Sequence, residues 1–141
     1  MQTKAKQIQQ SLAVLVLTLG SAAALAGLVQ EPPVTVTLNP DASGNAAGSM
    51  ASARFSKDDV EFIGCGVRRI DNGAGGLILF GFCQAADAAN VQGFCTTENP
   101  GLLQSIGDID DFSFITFSWN AAGECRSIGS STQSFYIPSK K

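Results

Sequence analysis

The sequence predicts a mainly β fold: a small antiparallel sheet or sandwich of about five to six strands with one short helix, stapled by disulfides. Three observations point there. Short runs rich in β-branched, aromatic and aliphatic residues recur from Val34 to Ile137, separated by turns of Gly, Asn and Asp. Four cysteines, an even count, lie between Cys65 and Cys125. Strong helix signals are confined to one segment, Asn99 to Gly107.

The N-terminus reads as a cleavable export signal. Lys4 and Lys6 precede an apolar, uncharged run from Leu12 to Leu19, and Ala24-Leu25-Ala26 offers the small-residue pattern of a cleavage site. Removing residues 1–26 from the 141 leaves 115, enough for one compact domain, and a cut after Ala24 fits nearly as well. The competing reading is an uncleaved anchor, because the apolar stretch from Ser11 to Val29 approaches the roughly 20 residues of a spanning helix. Only in that case does the sequence imply a membrane. Lys4 and Lys6 leave with the signal, so the net charge moves from −3 to −5.

Beyond the signal, residues 27–52 read as a flexible N-terminal segment and 53–141 as the disulfide-stabilised β domain. Residues 31–38, EPPVTVTL, give a first strand at an edge, since two prolines precede the alternation. An exposed edge there offers a route to self-association. Residues 39–52, NPDASGNAAGSMAS, are small and polar and read as a loop. Strands follow at 59–69 (DVEFIGCGVRR), 76–84 (GLILFGFCQ) and 91–97 (VQGFCTT), the first two joined by the Gly-rich turn 71–76. In Asn99-Pro100-Gly101-Leu102-Leu103-Gln104-Ser105-Ile106-Gly107, Asn99 can cap, Pro100 suits the first turn and Gly107 can stop the helix.

Residues 111–120, DFSFITFSWN, hold three of the nine phenylalanines and the single tryptophan. Phe112 and Phe114 would fall on one strand face and Phe117 and Trp119 on the other, so the apolar weight crosses the strand. A central strand covered on both sides, or one with a bulge, accounts for that. Trp119, at the end of the strand, is the member expected to reach solvent and is the candidate binding residue. One or two further short strands follow through Ile128, Phe135 and Tyr136.

Four cysteines allow three pairings. Their gaps of 18, 12 and 30 residues lack the close pairs of a zinc site. The expected bridges are Cys83–Cys95, closing the Ala-rich loop, and Cys65–Cys125, tying the first core strand to the last. Cys65–Cys83 is set aside on the view that it occupies a hydrogen-bonded cross-strand position, where side chains aim poorly for a disulfide.

The succession ARFSKDDVEFIGCGV, a strand ending in Cys83, Cys95 before an acidic-Asn-Pro helix start, then FITFSWNAAGEC resembles small exported bacterial proteins of an uncharacterised family. In those, A-R-x-S, I-G-C and W-x-x-x-G-x-C elements recur in this order. The resemblance covers roughly residues 53–129 and implies a common fold, export and paired cysteines. It carries no activity and no catalytic residues.

The composition excludes much chemistry. The chain has no His, which removes Ser-His-Asp and Cys-His catalysis and imidazole metal ligands. Its basic residues are scattered apart from Arg68-Arg69 and Lys140-Lys141, so no stripe suits nucleic acid. Asp108, Asp110 and Asp111 form the densest acidic run and the one alternative metal site, for Ca²⁺, although the glycine and closing Glu of an EF-hand are missing. A solvated turn is the plainer reading, and no cofactor is expected. The function that follows is a periplasmic or secreted, non-enzymatic binding or structural domain of unknown ligand. The alternative is a small carboxylate-dependent hydrolase or a hydrolase inhibitor.

Overall fold

The computed structural model describes residues 27–138, so the signal expected over 1–26 lies outside the described residues. Seven strands form two antiparallel sheets. The first sheet runs in the order β1 (Thr35–Leu38), β2 (Gly44–Ser49), β6 (Phe114–Trp119), β7 (Cys125–Ser131). The second runs β3 (Phe62–Asp71), β4 (Leu77–Ala86), β5 (Gln92–Thr97). Helix α1 (Met50–Arg54) follows β2, and α2 (Pro100–Gly107) leads from β5 towards β6. The expected mainly β, disulfide-bonded fold is present.

Local chemistry explains most elements. The β3–β4 hairpin closes where Asn72 N–H donates to Gly76 O, and the Asn72 side-chain oxygen accepts from Ala74 and Gly76 N–H. Gly73 and Gly75 supply the positive φ that this turn requires. Helix α2 starts as its sequence dictates: Asn99 Oδ1 accepts from Gly101 and Leu102 N–H, with Pro100 in the first turn. Its Leu103 and Ile106 sit over Gly81, where an added Cβ would stand 2.5 Å from Ile106 Cδ1.

Residues 39–52, expected as a loop, instead contain β2 and the start of α1, and β2 is an interior strand between β1 and β6. Its sequence GNAAGS carries no apolar alternation because close approach, not side-chain bulk, is what the position needs. A Cβ on Gly48 would stand 2.8 Å from Val34 Cα, and one on Gly44 would stand 2.6 Å from Trp119 Cζ2.

Residues 111–120 resolve into three environments. Phe112 takes φ +61° in the turn before the strand, so β6 begins at Phe114. Phe114 is half-buried and stacks on Tyr136 at 5.5 Å between centroids. Ser113, Ile115, Phe117 and Trp119 point into the core, and the register shifts at Ser118/Trp119 as a bulge would require. The strand is therefore interior, with the aromatic crossing divided between a turn and a strand.

The disulfides are Cys65–Cys83 and Cys95–Cys125, which overturns the expected Cys83–Cys95 and Cys65–Cys125. Hydrogen-bond phase is the reason. The Asn72–Gly76 pair is hydrogen-bonded and Cys65–Cys83 lies an odd number of residues along the same register, so it falls on a narrow non-hydrogen-bonded pair, with Cα atoms 4.0 Å apart. Asp87 N–H donates to Val91 O, and Cys83–Cys95 lies an even number of residues from that pair, at a wide hydrogen-bonded position. The geometric objection was sound but applies to the other pair. Cys125, at the start of β7, is left to Cys95 and joins the two sheets.

Cys83, Cys95 and Cys125 place their sulfurs within 4.8 Å of one another. A free thiol on Cys83 would therefore face an attackable disulfide. We expect Cys65→Ser to give a mixture in which part of Cys83 is bonded to Cys95 or Cys125. Non-reducing peptide maps after cleavage at Asp87 and Asp108 separate the three cysteines; a map with Cys83 wholly free would contradict this.

Candidate functional site

Trp119, the residue singled out for binding, is only 6% exposed. Its ring lies between the two sheets, against Gly44 of β2 and Gly93 of β5, where an added Cβ would stand 2.5 Å from Trp119 Cη2. Its indole Nε1 donates to Ala42 O at 3.1 Å. A buried Trp with its N–H satisfied belongs to the core. The strand end that suggested exposure is covered by the turn at Ala42, a contact between residues remote in sequence.

Asp108, Asp110 and Asp111 are exposed and lie in the turn between α2 and β6. Asp108 caps α2 through its backbone N–H to Gln104 O, and Asp110 O accepts from Ser113 N–H and Ser113 Oγ. Among the described residues the one group of three closely placed metal-ligand side chains is Cys83, Cys95 and Cys125, and each of these sulfurs is in a disulfide. A groove of about 780 Å³ lies between Phe80, the start of α2 and Glu124–Arg126. Its Glu124 and Arg126 form an exposed pair at 3.7 Å.

The surface that stands out is the three-stranded sheet. The row Cys65, Cys83, Cys95 faces the core, so by the pleat the alternate residues face outward. That outward set carries Phe62, Ile70, Ile78, Phe82 and Phe94, with Phe94 56% and Ile78 49% exposed, interspersed with the exposed Arg68, Gln84, Gln92 and Thr96. The guanidinium of Arg68 sits 5.2 Å from the centre of the Phe82 ring, which itself leans over Gly66. The hairpin also outruns its neighbour. β5 pairs only with Gly81–Ala86, so Leu77–Phe80 pair with β3 alone. On the other face of this arm Val67, Leu77 and Leu79 are exposed, Leu77 to 68%. Several large apolar side chains exposed together on one surface suit docking. Strand periodicity alone missed it, because a run apolar on both faces reads as a buried central strand.

The approach to β3 is fixed by a polar turn. Asp58 accepts from the Ser56 hydroxyl and from Val60 and Glu61 N–H, and Glu61 Oε1 accepts from Val34 N–H at 3.0 Å. The Ser56 hydroxyl first, then the Glu61 and Val60 amides, hold the Asp58 carboxyl down to about 2 from the ordinary 3.8. A lowered carboxyl stabilises the turn fully above pH 3.8, and that contribution is lost as pH falls through about 2.

Two expectations follow. Trp119→Ala should cost about 3–5 kcal/mol in urea unfolding, because no surface can collapse into the space between two sheets; a loss below about 1 kcal/mol would place the ring outside the core. In pH-dependent amide spectra, the backbone N–H signals of Val60 and Glu61 should report the Asp58 carboxyl with a midpoint near 2, and a midpoint near 3.8 would show that Asp58 is not held by these donors. Compared with protein-family models, with curated proteins and with solved structures, the chain matches none.

Proposed function

We propose that this is an exported, non-enzymatic binding domain, acting in the periplasm or outside the cell through the outer face and projecting arm of the β3–β4–β5 sheet. The observation that carries the reading is the set of exposed apolar side chains Phe62, Phe94, Ile70 and Ile78 on one face of a sheet whose opposite face is anchored by both disulfides. Such a surface costs solubility unless something covers it. The rigid support behind it keeps the face ordered before contact, which lowers the entropic cost of binding.

Export is supported from two directions. Two disulfides persist in an oxidising compartment and not in a reducing cytoplasm. The leader-like residues 1–26 supply the route, together with the resemblance to small exported bacterial proteins. Among the described residues no helix is long and apolar enough to cross a membrane.

The test has two parts. Protein recovered from the producing cells should begin at Gly27 or Leu25; Met1 or Gln2 recovered from a membrane fraction would mean an anchor. The folded protein should also bind an apolar fluorescent dye, and Ile78→Ser with Phe94→Ser should reduce that signal severalfold while the melting temperature shifts little. A native protein that does not bind the dye would remove the apolar face as a docking surface.

A further inference from the structure

The docking reading leaves the occupant open, and the edges of the two sheets narrow it. β1 is an edge of only four residues, entered from Pro32-Pro33, which blunts pairing. The free side of β5 is met by the Asn120–Glu124 turn, with Thr96 N–H donating to Gly123 O at 3.0 Å. β7 lies against α2. β3 is ten residues long and has β4 as its one strand partner, with both helices packed near it. The Asn72–Gly76 bond sets the phase: even-numbered residues of β3 exchange hydrogen bonds with β4, so Ile63, Cys65, Val67 and Arg69 turn their N–H and C=O groups outward. Among the described residues, none of those four N–H groups has an acceptor outside the β3–β4 ladder.

We propose that this edge pairs antiparallel with β3 of a second copy of the chain, about a two-fold axis at Cys65, to form one continuous six-stranded sheet. This rests on the docking reading and names its occupant. The edge of β3 is self-complementary. A two-fold at Cys65 sets Glu61 opposite Arg69 of the second copy, Phe62 opposite Arg68, Ile63 opposite Val67 and Gly64 opposite Gly66. The outward N–H and C=O groups of Ile63, Cys65 and Val67 meet their counterparts in hydrogen-bonded pairs, as the phase requires. The Glu61–Arg69 pair is of opposite sign and occurs twice. The pleat puts Glu61 and Arg69 on one face, and Phe62 and Arg68 on the other. Arg68, already over the Phe82 ring, would have the Phe62 ring of the second copy on its other side.

The neighbouring registers are poorer. Moving the axis one residue towards the tip puts the even-numbered residues, already bonded to β4, at the hydrogen-bonded positions, and an axis at Val67 sets Arg69 opposite Cys65 with no acidic partner. The Glu61 carboxylate keeps its second oxygen for a partner, because Val34 N–H takes only Oε1. The pairing also covers the flank of the apolar arm, while Phe94, two strands away, stays outside it.

The experiment is sedimentation of the purified protein over a range of concentrations. Wild type should show a reversible dimer. Arg69→Glu and Glu61→Arg, each alone, should weaken dimerisation at least tenfold, because each places like charges opposite twice. An equimolar mixture of the two variants should recover heterodimers, because both pairs are then again of opposite sign. Val67→Pro removes one outward donor and no β3–β4 hydrogen bond, and should give monomers with native disulfides and a native circular-dichroism spectrum. A strictly monomeric wild type would overturn the proposal while leaving the dye-binding test of the outer face to stand by itself. A dimer that survives Val67→Pro would place the contact elsewhere, and rescue of Arg69→Glu by Asp59→Arg in place of Glu61→Arg would overturn this register.

Discussion

The contact on which the two-sheet arrangement depends is a tryptophan held between two glycines. Trp119 stands on β6 in the first sheet, and its ring occupies space that a side chain at Gly44 on β2 or Gly93 on β5 would take. One large apolar residue therefore lies over the neighbouring strand of its own sheet and fills the space to the facing sheet. The indole N–H is satisfied by Ala42 O, so the desolvation that would penalise a buried donor is offset. Small residues in β2 follow from this: a strand that must lie under an indole and against Val34 cannot carry bulk on that face.

The cysteines reinforce the same junction, since Cys125 is the cross-strand partner of Trp119. Cys65, Cys83 and Cys95 stand in one cross-strand row, and Cys125 approaches from the facing sheet. In such a cluster distance alone does not choose partners, since three of the sulfurs are mutually close. Alternation of narrow and wide pairs chooses: the narrow site takes the intra-sheet bridge, and Cys95 is left to staple the sheets. A chain of this size has a modest core, and two bridges of roughly 2–4 kcal/mol each are comparable with the whole net stability of a small domain.

With its core face fixed in this way, the three-stranded sheet can present an apolar surface outward without collapsing onto itself. The same sheet leaves β3 with one hydrogen-bonding edge, and the two arginines of that strand are set in an otherwise acidic chain. The surface and the edge are thus consequences of one construction: a hairpin that is longer than its third strand and covered on one side only.

The sequence by itself determined what depends on neighbours along the chain. The Asn-Gly turn at 72–76, the Asn99-Pro100 helix start, the edge strand after Pro32-Pro33 and an oxidised β fold were all legible, because turn, cap and proline chemistry act within a few residues. The tertiary structure decided the rest. β2 was unreadable because Gly, Ala, Asn and Ser carry no apolar period, and its strand character comes from the Trp119 and Val34 packed against it. Disulfide partners were unreadable because a Gly-rich turn at 71–76 locates the hairpin without revealing which pairs along it are hydrogen-bonded. Trp119 was assigned to the rim because a strand end is normally open, and what closes this one is a carbonyl 77 residues earlier in the chain. That β4 is central agrees with its run of apolar residues, but which of its faces is covered depends on where the other sheet packs, which composition does not record.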